Sequence, residues 1–208
     1  MDPLDVERPP APRSRKGKRI LFAAVVLVLA SFVVLRWIVV PYRILGSSML
    51  PTLVGTELGQ QPVDGDIVLV NRLAYVLRRP QRWEVVVIEQ PAASRPEGSR
   101  EGEAGGAPLE NVKRIVGLPG ETVEIQGGFL HIDGSRIELP PALRGTYIVS
   151  KGRFGRGRVS LADDEYFVLG DNSYLSRDSR YWGPVARRAI QGRAILIVFP
   201  WSRFGRVP

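Results

Sequence analysis

Hydrophobic and polar positions divide the chain into two stretches of different rhythm. From Ile20 to Leu35 every residue but Ser31 is apolar, and after Arg36 the run resumes as Trp37-Ile38-Val39-Val40 before Pro41. Beyond Pro41 the pattern shortens. Asp66–Asn71, Glu84–Ile88, Glu121–Ile125, Phe129–Ile132, Glu165–Leu169 and Ala194–Val198 are brief β-branched and aromatic runs bounded by Gly, Pro, Asp and Asn. Such runs predict strands joined by turns. No long helical period follows Pro41, so this part of the chain is expected to be all-β. The Gly-, Glu-, Ser- and Ala-rich stretch 91–111 breaks the rhythm and predicts a mobile surface loop between two strands.

The apolar stretch predicts a membrane-spanning helix. Residues 20–35 alone reach about 24 Å at helical rise, against a hydrocarbon core of about 30 Å. Extension to Val40 gives about 31 Å, with Arg36 snorkelling to the interface. A single helix over 20–40, ended by Pro41, is therefore expected. Arg13, Arg15, Lys16, Lys18 and Arg19 precede it, and no Lys or Arg occurs between Arg43 and Arg72. This asymmetry predicts a cytoplasmic N-terminus and a translocated remainder, on the outer side of the cytoplasmic membrane. The sequence from Arg36 to Pro41 offers no small-x-small cleavage site, which favours an uncleaved anchor over a removable signal peptide. Residues 1–19, with Pro3, Pro9, Pro10 and Pro12 among charges, read as a disordered tail, and 41–208 as the extracytoplasmic domain.

Composition narrows the chemistry. At 208 residues, 44% hydrophobic and 24% charged, the chain fits one core-bearing domain plus an appendage. Its net charge of +8 is spread through loops and ends instead of forming a stripe with interleaved aromatics, which argues against nucleic-acid binding. The absence of Cys and the single histidine, His131, exclude a disulfide framework and a Cys/His zinc site. No metal or organic cofactor is expected.

Gly46-Ser47-Ser48-Met49-Leu50-Pro51-Thr52-Leu53 follows the apolar stretch and presents Ser48 as a candidate nucleophile beside a membrane. The Gly-Ser approach permits a sharp turn, and Pro51 keeps the segment from relaxing into a helix. His131 sits in an alternating strand leading to an Asp-Gly hairpin and reads as strand decoration, and no Gly-x-Ser-x-Gly elbow surrounds Ser48. Lysine is then the remaining base for a serine. Lys113 stands in a strand between Val112 and Ile115, where apolar neighbours desolvate the ammonium and lower its pKa. Alternation puts Lys113 and Arg114 on opposite faces, one inward and the other solvated. Alone, each segment has a plainer reading as a turn or a surface lysine.

Taken together and in order, four segments resemble those of the bacterial type I signal peptidases (leader peptidases), membrane-anchored serine proteases with a Ser-Lys dyad. They are 46–53, Gly65-Asp66-Ile67-Val68-Leu69-Val70, Val112-Lys113-Arg114-Ile115-Val116-Gly117-Leu118-Pro119-Gly120, and Gly170-Asp171-Asn172 continuing to Ser176-Arg177-Asp178-Ser179-Arg180-Tyr181-Trp182-Gly183. The resemblance implies coiled antiparallel sheets, Ser48 as nucleophile, Lys113 as general base, Ser176 as the hydroxyl that orients the amine, and Asp178 with Arg180 as a supporting pair. It also implies preprotein substrates with small residues at the first and third positions before the cut, for which Ile44 and Val112 are the expected pocket residues. The plainer reading of Asp171, Arg177, Asp178 and Arg180 is a polar loop with solvated ion pairs. Gly46 stands where some relatives carry a serine whose hydroxyl completes the oxyanion hole, so backbone N–H groups of the 46–48 turn are expected to serve instead. Ser173-Tyr174-Leu175 replaces the more polar residues often found before Ser176. Two other readings stay open: a related Ser-Lys processing peptidase of conjugative transfer, and a membrane-tethered β-domain that binds exported chains without cutting them; the expected anchor and the lack of a DNA-binding module argue against a self-cleaving repressor.

Overall fold

The structure, a computed structural model, describes residues 15–56, 65–90, 110–146 and 148–208. Two compact units are found, Met1–Trp37 and Ile38–Pro208. α1 (Arg15–Ile38), in the first unit up to Trp37, takes in Arg15, Lys16, Lys18 and Arg19, while Arg13 lies outside the described residues. It ends before the expected Val40, because Val39 and Val40 pair with Asn71 and Val70 as the start of a strand. The backbone there follows β-branched propensity and the available ladder partner in preference to the continuing apolar run. Among the described residues no helix is long and apolar enough to cross a membrane.

The second unit is built of β1 (Val39–Arg43), β2 (Ile67–Asn71), β3 (Val85–Glu89), β4 (Glu110–Gly117), β5 (Thr122–Gln126), β6 (Phe129–Ile132), β7 (Ser135–Arg136), β8 (Val159–Ser160), β9 (Glu165–Leu169), β10 (Val185–Ala186), β11 (Ile190–Phe199) and β12 (Gly205–Arg206). Its one α-helix among the described residues is the single turn α2 (Ser179–Trp182). The large sheet runs β1-β2-β11-β3-β4-β9-β10, with β12 also on β11, and the small one runs β7-β6-β5-β8. Every strand pairing described is antiparallel, as the resemblance implies. Register shifts in β11 and β4 let the large sheet coil. Pro41 lies in edge strand β1, where a missing N–H is tolerated. Glu110 and Asn111, expected at the end of a loop, instead pair with Glu89 and Ile88; the rest of that predicted loop, 91–109, lies outside the described residues.

Burial on both faces explains why the central strands read as continuous apolar runs. In β3, Val85 and Val87 join Ile44, Met49, Leu53, Val68 and Val112 in one core cluster, while Val86 and Ile88 join Ile115, Tyr166 and Val168 in another. A third cluster, with Val116, Val123, Leu130, Leu161 and Phe167, packs the large sheet against the small one. His131, on β6 opposite Glu124, belongs to this second layer and hydrogen-bonds neither Ser48 nor Lys113.

Gly117, at the end of β4, packs closely against the small sheet. A Cβ there would lie 2.5 Å from a Val123 methyl carbon and 2.9 Å from the Phe167 Cβ. Gly117→Ala is therefore expected to destabilise the fold by about 1–3 kcal/mol through overpacking, read as a lower urea midpoint. An unchanged midpoint would show that the layers part at no cost.

Candidate active site

The turn bearing Ser48 is fastened at both ends. Ile44 N–H donates to the Asp66 carbonyl (2.9 Å), Gly46 N–H to the Thr56 carbonyl (3.0 Å) and Leu53 N–H to the Met49 carbonyl (2.9 Å). Met49 and Leu53 are buried in the first core cluster, so the turn is anchored by apolar burial on either side of Pro51 while Ser48 stays half-buried. Gly46 has φ +69°, a left-handed conformation that side chains with a Cβ disfavour. Gly55 gave no signal in the sequence, yet a Cβ on it would sit 1.9 Å from the Gly46 carbonyl oxygen.

Lys113, on β4, reaches this turn from the neighbouring sheet. Its Nζ donates to Ser48 Oγ (3.0 Å) and to the Val112 carbonyl (2.9 Å), and the residue is 1% exposed. Burial pushes the ammonium down from 10.5 to about 8; the carboxylates of Asp178 and Asp171 oppose the shift and the Arg180 guanidinium adds to it.

Both nearby carboxylates are already taken. Asp171 is held in a fork by Arg114 Nε and Nη2 (2.8 Å each), and Asp178 by Arg180 Nε (2.7 Å) and Nη2 (2.6 Å). Neither pair is solvated, since the side chains of both are 1% exposed or less. The expected division, with one of Lys113 and Arg114 inward and the other in water, is thus corrected: β4 is covered on both faces, and Arg114 spends its remaining donors on the Trp83 carbonyl (2.7 Å), a main-chain oxygen of Pro208 (2.9 Å) and Thr52 Oγ1 (3.3 Å). Asp178 caps α2 through the Arg180 N–H (3.2 Å) and also accepts from the Gly170 N–H (3.0 Å). Removing one partner of such a buried pair typically costs about 3–5 kcal/mol, because the other charge is stranded.

Gly170 and Asn172 complete the arrangement, and neither stood out singly in the sequence. A Cβ on Gly170 would fall 2.2 Å from Ser176 Oγ and 2.5 Å from the Ser48 carbonyl oxygen. Asn172 donates its backbone N–H to the Ser48 carbonyl (3.0 Å) and its Nδ2 to the Ser47 carbonyl (3.1 Å). Ser176 is fully buried against Gly170, and its Oγ has no hydrogen-bond partner; the structure does not join it to Lys113. Ser173 Oγ accepts from Arg180 Nη1 (2.7 Å) and the Val149 N–H (2.7 Å), whereas Tyr174 and Leu175 are exposed. Ile44 and Val112 are 2% and 7% exposed and pack together in the core cluster beneath Ser48 and Lys113. The Gly46 N–H, expected among the oxyanion donors, is used by Thr56; the N–H groups of Ser47 and Ser48 have no protein acceptor among the described residues.

Comparison with known proteins gives the class first: the chain is a hydrolase of the serine peptidase type. The model of the family described as signal peptidase, peptidase S26, matches residues 17–201, and the chain belongs to that family. It is 32% identical over 199 residues to the "Probable signal peptidase I-1" of Synechocystis sp., covering 95% of this chain and 90% of the relative. It is 34% identical over 160 residues to the "Signal peptidase I" of Leptolyngbya laminosa, covering 77% and 68%. A crystal structure of a signal peptidase I from Enterococcus faecalis V583 is 26% identical, covering 56% of this chain and 97% of that one, with a TM-score of 0.42.

The lowered lysine pKa carries a stability prediction. Between about 8 and 10.5 the unfolded lysine is protonated and the folded one is neutral, so the unfolded state binds more protons and stability rises with pH. Below about 8 the folded state bears the whole cost of the desolvated ammonium, on the order of 3 kcal/mol. Lys113→Met should therefore melt above the wild type at pH 6, and the gap should close toward pH 11. A variant that melts lower than the wild type at pH 6 would contradict a destabilising charge at this position.

Proposed function

We propose that the protein is a type I signal peptidase: a membrane-anchored serine endopeptidase that removes N-terminal signal peptides from exported preproteins, with Ser48 as nucleophile and Lys113 as general base. The contact of 3.0 Å between Ser48 Oγ and the amine of a buried lysine, its pKa lowered to about 8, carries this reading. With one amine N–H held by the Val112 carbonyl, the amine, once neutral, can accept the Ser48 proton across the same 3.0 Å contact in which the ammonium donates. Ser48 oxygen attacks the scissile carbonyl as its proton passes to Lys113 Nζ. The resulting ammonium returns that proton to the leaving amine, which leaves an ester on Ser48. Water then attacks the ester, its proton passing to Lys113, and the acid departs as Ser48 regains a proton.

The supporting assignments follow from the surroundings. The unoccupied Ser48 N–H supports a role in stabilising the oxyanion, with Gly46 giving the turn its left-handed backbone. The buried, unpartnered hydroxyl of Ser176 supports a role in holding the amine once Ser48 is acylated. Ile44 and Val112, packed beneath the dyad, suit the floor of shallow pockets that admit small residues at the first and third positions before the bond. Asp178 and Arg180 keep the Gly170 strand end and α2 in place around the site.

Anchoring rests on the apolar stretch from Ile20 and its basic flank, with the lipid bilayer as partner and the peptidase unit outside the cytoplasmic membrane. In intact spheroplasts, protease added outside should degrade the chain beyond Tyr42. Full protection of that region, with the outer membrane face shown to be accessible, would reverse the orientation.

Cleavage of a test preprotein in detergent checks the chemistry. Ser48→Ala and Lys113→Arg should each lose at least about a hundredfold in rate, since a guanidinium cannot act as the base. In the wild type kcat/KM should rise with pH along an acid limb near 8, as Lys113 becomes neutral. Retention of more than about a tenth of the activity by Lys113→Arg would remove the lysine from the mechanism.

A further inference from the structure

We infer that Arg203 is a positioning residue for the Ser48 turn, acting through Asp66 and Thr52; this rests on the reading of Ser48 as nucleophile. Arg203 lies just beyond the residues matched to the family, in the segment that follows β11. Its Nε donates to Asp66 Oδ1 (2.8 Å), and its Nη2 donates both to Asp66 Oδ2 (3.1 Å) and to the Thr52 carbonyl (3.0 Å). The Asp66 side chain is fully buried, and its Oδ2 also accepts from the Val54 N–H (2.8 Å). The guanidinium therefore fixes the limb from Thr52 to Val54 by one direct and one relayed contact, and the Leu53 N–H ties that limb back to Met49, the residue after Ser48.

Arg114 grips the opposite side of Thr52 at its hydroxyl, so two arginines bracket one residue of the turn. Only one of them is wired to the lysine's surroundings, through Asp171. Arg203 touches neither Lys113 nor any residue that shifts its pKa. Its effect on chemistry is indirect, passing through the position of the Ser48 turn or through Thr52, Arg114 and Asp171. A misplacement of about 1 Å in such a turn costs about a hundredfold in rate.

The test compares Arg203→Lys and Arg203→Ala with the wild type on a preprotein substrate. Lysine keeps a charge for Asp66 but lacks the planar fork that also reaches Thr52. Both variants should lose about ten- to a hundredfold in kcat with KM little changed. Their acid limb should also move upward, because an amine that loses Ser48 Oγ and gains water approaches its ordinary pKa. The Arg203 side chain is 35% exposed and borders a cavity of about 390 Å³ lined by Pro51, Thr52, Ile197 and Pro208, so a small cation can enter once it is truncated. Millimolar methylguanidinium should restore kcat in Arg203→Ala, and equal concentrations of ammonium should not. Wild-type kcat and acid limb in both variants, or a loss that tracks only the unfolded fraction with the limb unmoved, would overturn the inference. Ser48→Ala is assayed alongside: if it is dead while the Arg203 variants are normal, only this inference fails, and if it stays active the nucleophile and its positioning fail together.

Discussion

The arrangement depends on a lysine buried without a counter-ion. Lys113 forms no ion pair among the described residues, although Asp171 and Asp178 both act on it electrostatically. Each carboxylate is forked by its own arginine, so neither hydrogen-bonds the amine, and the Arg180 guanidinium opposes part of the field that would hold a proton there. What remains is desolvation, and it lowers the pKa. The buried pairs are a poor source of stability in themselves, since their desolvation offsets most of their attraction. Their worth lies in keeping negative charge close to the lysine without giving it a partner.

Topology brings these groups together. Lys113 and Arg114 are neighbours on β4, a central strand covered on both faces, so alternation sends one side chain toward the Ser48 turn and the other toward Asp171. β9 lies beside β4 and ends at Leu169, which delivers Gly170, Asp171 and Asn172 to the same end of the sheet. Gly170 lets the Ser48 backbone and Ser176 approach, and Asn172 fastens the Ser47 and Ser48 carbonyls. Ser48 is thereby held by main-chain bonds on one side and by packing of Met49 and Leu53 on the other.

Much of this could be read from residues in order. Short β-branched runs marked the strands because burial on both faces demands them, and Ser48 and Lys113 stood out only through the four ordered segments that resemble the signal peptidases, since each alone has a plainer reading. The remainder was set by distance in space. Nothing local told that Arg114 would be enclosed as fully as Lys113, since that depends on which layer covers the far face of β4. The Gly46 N–H was spent on Thr56, a bond that exists only because the chain returns beside the turn. Asn172 and Arg203 act through contacts with residues far along the chain, and Gly55 through a close approach to Gly46 that the fold of the turn sets, for which sequence spacing carries no signal. The end of α1 was misjudged because apolar β-branched residues suit a helix in lipid and an edge strand equally well, and pairing with Asn71 and Val70 decided between them.

The most direct measurement is the titration of Lys113 itself, observed by NMR of the lysine side-chain carbon next to the amine in protein labelled at lysine. The account predicts one lysine resonance with a midpoint near 8, well apart from the solvated lysines, and its loss in Lys113→Met. A midpoint for that resonance at or above about 10, the range of a free lysine, would contradict the claim that burial without a counter-ion makes this amine a base.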